Sequence, residues 1–174
     1  VIVTAAPHQS GKDEYLMILI ILALDVDVCY LSAKWTMRRI PNPFEKSKDI
    51  DDQGIKWPLG WLQEIIFRKF GAIPVDRKGN SGQYDSVIEE LKKRDSFLLI
   101  VTPEGRFDAT RFRTSFLFIA KELNAEVMPV QIDYENERFN ILESFNIEGD
   151  TESVVKNLRL KFDGIKGKKS RFKA

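Results

Sequence analysis

Short β-branched runs alternate with longer stretches of helical period along this chain. Residues 1–6 are apolar and stop at Pro7, which predicts a strand. Ser10 stands three residues ahead of Asp13, the spacing of a capping box, directly before the apolar run of residues 15–24. A helix is therefore expected to begin near Ser10. Residues 26–31 predict the next strand, and residues 57–70 a helix with Trp61, Ile65, Ile66 and Phe70 on one side, closed by Gly71. A third strand at residues 72–75 leads into a Gly/Asn/Ser turn at residues 79–82. The helix expected over residues 84–94 carries Val87, Ile88 and Leu91 as its apolar stripe.

The second half continues the alternation. Residues 96–102 are the clearest strand, and Phe112, Phe116, Ile119, Ala120 and Leu123 then follow helical spacing. Residues 126–133 return to a strand, residues 138–147 read as antiparallel edge strands, and residues 151–162 as a last helix. Repeated strand, helix, strand units predict an α/β fold: one domain over residues 1–174, with a largely parallel or mixed central sheet flanked by helices on both faces. Residues 41–56 are polar, proline-bearing and acidic at Asp49, Asp51 and Asp52, and are read as a surface insertion. The basic tail, residues 165–174, holds Lys166, Lys168, Lys169, Arg171 and Lys173. It reads first as a solvated end and second as an attraction to an anionic membrane surface.

Composition narrows the function classes. A length of 174 residues with 43% hydrophobic and 30% charged side chains suits a globular domain with a real core. Twenty-seven basic side chains against 26 acidic ones, a formal charge of +1, make no case for nucleic acid as a partner. With Cys29 the single cysteine, neither a disulfide nor a CxxC metal site can form within the chain, and a reducing compartment fits. The longest apolar run, residues 16–24 between Glu14 and Asp25, falls short of the roughly 18 residues a membrane-spanning helix needs and is read as a buried core helix. Neither the basic leader nor the small-residue cleavage site of a signal peptide is seen, and a chain that opens inside an apolar run leaves room for residues ahead of Val1.

His8, the only histidine, follows the first strand, where open α/β sheets place their ligand crevices. Asp13 lies in the first turn of the expected helix, within reach of the loop that holds His8. A carboxylate there would fix the imidazole tautomer and stabilise the imidazolium as it takes a proton. The plain alternative is a capping aspartate beside a loop histidine, and this segment by itself favours it. Gly11 and Lys12 suggest the end of a P-loop, but the pattern fails: Ala6 stands where its first glycine belongs, and Asp13 stands where a hydroxyl residue would meet the metal. A lone histidine with scattered acids matches no standard metal-ligand spacing.

Three further blocks change the balance. Residues 71–77 read Gly-Ala-Ile-Pro-Val-Asp-Arg, residues 103–106 read Pro-Glu-Gly-Arg, and residues 127–130 read Val-Met-Pro-Val. With His8 and Asp13 ahead of them, these blocks in this order resemble the glycerolipid acyltransferases, the family that acylates glycerol phosphate, lysophosphatidic acid and related lysophospholipids. The resemblance spans roughly residues 1–133. It implies that His8 and Asp13 act as base and orienting acid, and that Arg77 binds the acceptor's phosphate. It also implies that Glu104, Gly105 and Arg106 form the third block, which serves acceptor binding. That block departs from the usual Pro-Glu-Gly-Thr-Arg, because Arg106 stands where threonine is usual and Phe107 where arginine is usual. A planar guanidinium fork suits phosphate oxygens, which makes Arg77 and Arg106 the expected contacts; the plain reading of each is a surface ion-pair residue. Arg111, Arg113 and Lys34 are weaker basic candidates.

On this reading His8 takes the proton of an acceptor hydroxyl, which attacks an acyl thioester directly, with no acyl-enzyme, metal or bound cofactor. The donor is acyl-CoA or acyl carrier protein, the acceptor a lysophospholipid or glycerol-phosphate-like molecule, and the expected location the cytoplasmic face of a membrane, held peripherally. Cys29, in an apolar strand with no second histidine to activate it, reads as a packed core thiol. Exposed members of residues 57–70 or 112–118 are candidates to line an acyl groove, although most of their aromatics read as core. Competing readings are an acyltransferase with an amino-lipid or sugar-lipid acceptor, which the irregular third block leaves open, and a lipid- or phosphate-binding domain without turnover. A doubly wound nucleotide-binding module is disfavoured by the lack of a glycine-rich turn after residue 6.

Overall fold

The computed structural model describes residues 1–8, 13, 27–40, 54–75, 84–104 and 112–168. The fold is mixed α/β with mostly parallel pairing in its sheet, as the alternation of periods predicts. The chain divides into two compact units, Val1–Val26 with Leu98–Ala174, and Asp27–Phe97.

The first unit is built around β1 (Ile2–Ala6), all five residues of which are buried. Both of its edges are occupied by parallel neighbours, which is why it reads as an unbroken apolar run rather than an alternation. On one side lies β6 (Leu98–Val101), with Ile2 opposite Leu99 and Thr4 opposite Val101; on the other lies β7 (Val127–Asp133), with Ile2 opposite Val127 and Ala6 opposite Gln131. β8 (Arg138–Ile141) pairs antiparallel with β7, Asp133 against Arg138, and Phe145 adds a bridge to Val127, so the edge expected over residues 138–147 is antiparallel.

Two helices complete this unit. Helix α3 (Ser115–Leu123) buries Phe116, Leu117, Ile119 and Ala120 and ends at Asn124 in the left-handed region, φ 47°, a conformation asparagine tolerates better than most residues. Helix α4 (Thr151–Leu160) starts at Asp150, whose carboxylate accepts from the Ser153 amide at 2.9 Å, and buries Val154 and Leu158. Phe112 and Phe162 meet edge to face with centroids 5.8 Å apart.

The second unit has β2 (Val28–Ala33) parallel to β5 (Ala72–Val75), a short antiparallel pair of β3 (Arg39–Ile40) and β4 (Ile55–Lys56), and a 3₁₀ turn over Lys34–Met37. Helix α2 (Asp85–Lys92) buries the expected stripe of Val87, Ile88 and Leu91. Helix α1 (Gly60–Lys69) departs from expectation: Trp61, Ile65, Ile66 and Phe70 lie on the outside and Gly60 is its one buried residue. The helical period was legible, but which face turns inward is decided by polar contacts to Gln63, described below. β4 takes the end of the insertion expected over residues 41–56; residues 41–53 lie outside the described residues, as do the expected helix of residues 15–24, the turn at residues 79–82 and residues 169–174 of the basic tail.

Candidate active site

Because β6, β1 and β7 are parallel neighbours, their chain directions carry three segments to one edge of the sheet. Ala6 is followed by Pro7 and His8, Val101 by Thr102, Pro103 and Glu104, and Asp133 by Tyr134. The carboxyl ends of such strands are where open α/β sheets hold their ligands. His8, Asp13 and Glu104 are all buried, with Asp13 1% and Glu104 3% exposed. Polar groups buried together in this way cost free energy unless they satisfy one another.

The contacts among them are specific. Asp13, which is in helical conformation, sets Oδ2 3.4 Å from His8 Nδ1. Its other carboxylate oxygen, Oδ1, accepts the phenolic hydrogen of Tyr134. The carboxylate thus bridges an imidazole and a phenol. That donation, together with burial and the charge of Asp13, pushes the Tyr134 hydroxyl from 10.0 up to about 12, with burial the largest cause. Glu104 reaches the same histidine from the other strand: its Oε1 accepts from the His8 backbone N–H at 3.2 Å. Burial raises the Glu104 carboxyl above its ordinary range, and the nearby charge of Asp13 adds to the rise, against the pull of the backbone amides of His8 and Glu104 itself. Among the described residues, Glu104 Oε2 has no hydrogen-bond partner.

Tyr134 is itself held in place by the turn after β7. Asp133 accepts from the amides of Glu135 at 3.1 Å and Asn136 at 3.2 Å, and from the Asn136 side chain at 2.7 Å, which keeps the Asp133 carboxyl below its ordinary range. The Tyr134 N–H donates to the Lys166 carbonyl at 2.9 Å, and Lys166 Nζ lies 3.0 Å from Glu135. Lys166, expected to belong to a solvated tail, is therefore tied to the site's supporting turn.

Of the residues singled out in the sequence, His8, Asp13 and Glu104 are brought together. Arg77, Gly105 and Arg106 lie outside the described residues, as does Arg111, while Arg113 and Lys34 are exposed. Tyr134 was missed by sequence reasoning. Its only signal was its position directly after the last buried strand, at the same sheet edge as His8. Cys29 is fully buried, and burial pushes its thiol up to about 11, so it has none of the low-pKa character of a nucleophilic cysteine. Phe112, Phe116 and Leu117 are core, whereas Phe118 is exposed.

The family model described as Acyltransferase matches residues 55–133. No curated protein and no solved structure matches the chain. The match takes in the second, third and fourth blocks, with Arg77, Glu104 and the proline strand at Pro129, and stops short of His8 and Asp13. The packing of His8 against Glu104 therefore joins a residue outside the matched segment to one inside it. Over residues 55–133 the chain is thus similar to the Acyltransferase family domain, the domain of the glycerolipid acyltransferases.

Proposed function

We propose that this acyltransferase moves a fatty acyl group from acyl-CoA or acyl carrier protein to the hydroxyl of a glycerol-phosphate or lysophospholipid acceptor. The observation that carries the reading is the run of contacts from half-buried Tyr134 through buried Asp13 to buried His8, with Glu104 on the histidine's backbone, at the carboxyl ends of three parallel strands. With Nδ1 turned to the Asp13 carboxylate, Nε2 is the nitrogen that takes the acceptor's proton. The acceptor oxygen attacks the thioester carbonyl, a C–O bond forms, the C–S bond breaks, and the imidazolium returns its proton to the departing thiolate. Asp13 stabilises the imidazolium during the step, and Tyr134 keeps the carboxylate oriented. Glu104 Oε2, buried and unpartnered among the described residues, supplies an acceptor for a second hydroxyl of the incoming glyceride. Arg77 and Arg106 are the proposed phosphate contacts, Arg77 on the stronger block.

The test is thioester consumption by the purified protein with acyl-CoA or acyl carrier protein and a panel of lysophospholipids. Native protein transfers the acyl group, and His8→Ala and Asp13→Asn lower kcat by about 10²–10⁴-fold. Full activity in His8→Ala, or no acylation of any acceptor by a folded protein, removes this mechanism and leaves a lipid- or phosphate-binding domain. A second reading, an amino-lipid or sugar-lipid acceptor, is favoured by Arg106 and Phe107 standing where the family has threonine and arginine. Acylation of such acceptors in preference to phosphoglycerides decides for it.

A further inference from the structure

Helix α1 is turned inside out. At 100° per residue Trp61, Leu62, Ile65 and Ile66 share one face, and Gly60, Gln63, Glu64 and Phe67 the opposite one. A surface helix ordinarily buries the apolar set, yet here Trp61 is 59% exposed and Leu62, Ile65 and Ile66 are exposed with it. The cause lies on the inner face. Gly60 packs so closely that a Cβ there would sit 2.6 Å from the Arg38 carbonyl oxygen. The Gln63 amide donates to the carbonyls of Thr36 at 2.7 Å and Arg39 at 3.1 Å, and its oxygen accepts from Trp57 Nε1 at 2.7 Å. Glu64 pairs with Arg38 and Arg68. These contacts hold the polar face inward, and Leu59 and Phe70 extend the exposed apolar strip at either end.

An exposed apolar strip of this kind marks a docking surface, and the charges around it select the partner. Lys56, Arg68 and Lys69 are exposed within residues 54–70, and the one acid of that segment, Glu64, is turned inward and paired. With Arg68 spent on Glu64, Lys56 and Lys69 leave the segment at a net +2 in a chain whose total charge is +1. A second copy of the same face would set these cations against themselves across a two-fold axis. An anionic lipid surface complements both the apolar strip and the cations, and a tryptophan at its edge suits the headgroup region.

We propose that α1 lies in the plane of an anionic bilayer, with Trp61, Leu62, Ile65 and Ile66 below the headgroups and Lys69 among them. This deepens the proposed function by naming the surface on which the lipid acceptor is met, and it rests on that reading only for its purpose. Flotation with phosphatidylglycerol–phosphatidylcholine vesicles, without donor or acceptor, tests it independently of acyl transfer. Native protein floats with anionic vesicles, and Trp61 emission shifts to the blue and is quenched by brominated acyl chains; Trp61→Phe removes that change. The triple variant Leu62→Gln, Ile65→Gln, Ile66→Gln loses roughly a hundredfold in partitioning while keeping its melting temperature, because these side chains are already outside. Should the triple variant melt early, Lys69→Gln carries the test with about five-fold weaker binding to anionic vesicles. Failure of native protein to bind, unchanged binding in both variants, or a vesicle-independent dimer dispersed by the triple variant overturns the proposal.

Discussion

Tyr134 donates its phenolic hydrogen to one oxygen of Asp13 while the other oxygen of the same carboxylate faces His8 Nδ1 at 3.4 Å. A residue 121 positions away in the chain thus sets the orientation of the group that orients the histidine.

Tyr134→Phe keeps the ring and removes the donor. A hydrogen bond to a charged group contributes about 1.5–3 kcal/mol, so kcat falls by about 10–100-fold with the acceptor KM unchanged. Burial and the bond together show in the hydroxyl's titration. Tyr134 gives its phenolate absorbance only as pH approaches about 12; Tyr134→Phe removes that phase, and Asp13→Asn moves it to lower pH. The folded pKa is raised, so the stabilisation is complete below 10 and is lost as pH rises towards 12. A Tyr134 phase that Asp13→Asn leaves in place contradicts the bond.

Glu104 carries a pH signature of the same sign in a more acidic window. Its folded pKa is raised above 4.5, so the folded state keeps a proton that the unfolded chain has lost, and stability declines as pH climbs from 4.5 through the folded value. Glu104→Gln removes the ionisation while preserving an oxygen for the His8 amide. Denaturant unfolding over this window shows a flatter dependence on pH for the variant than for the native chain. Equal slopes would mean that Glu104 is not desolvated.

Cys29 is fully buried and its thiol is pushed to about 11. A disulfide reagent at neutral pH reacts with the folded protein far more slowly than with the denatured chain, and Cys29→Ala retains acyl transfer. Loss of transfer in a folded Cys29→Ala protein would reinstate a covalent route.

Gly71 closes the turn between α1 and β5 at φ +82°, and an added Cβ would fall 2.0 Å from the Val28 carbonyl oxygen. Backbone conformation alone costs a side chain about 1–2 kcal/mol there, and the clash adds to it, so Gly71→Ala destabilises by at least ~2 kcal/mol in chemical denaturation. A variant as stable as the native chain would place β2 and β5 further apart than their register requires.

Much of the fold was legible in the chain because burial writes itself into local pattern. β1 has neighbours on both edges and reads as an unbroken apolar run; α2 has one inner face and reads as Val87, Ile88 and Leu91. The strand ends at Pro7, Pro103 and Asp133 were likewise readable to within a few residues; His8 stood out as the one histidine, and Asp13 and Glu104 through the ordered blocks that resemble the glycerolipid acyltransferases. The orientation of α1 was not legible. Its apolar period predicts an inward stripe, and only the partners of Gln63, at Thr36, Arg39 and Trp57, turn that stripe outward.

The site divides along the same line. His8 and Asp13 are five positions apart, but the local sequence favoured a capping aspartate beside a loop histidine, and only the later blocks in their order made the pair readable. The sequence could not bring in Tyr134, or assign Glu104 to the backbone of His8, because those contacts span 121 and 96 residues. They exist because β6, β1 and β7 run parallel and end at the same edge, and parallel register is a property of the assembled sheet that no single segment encodes.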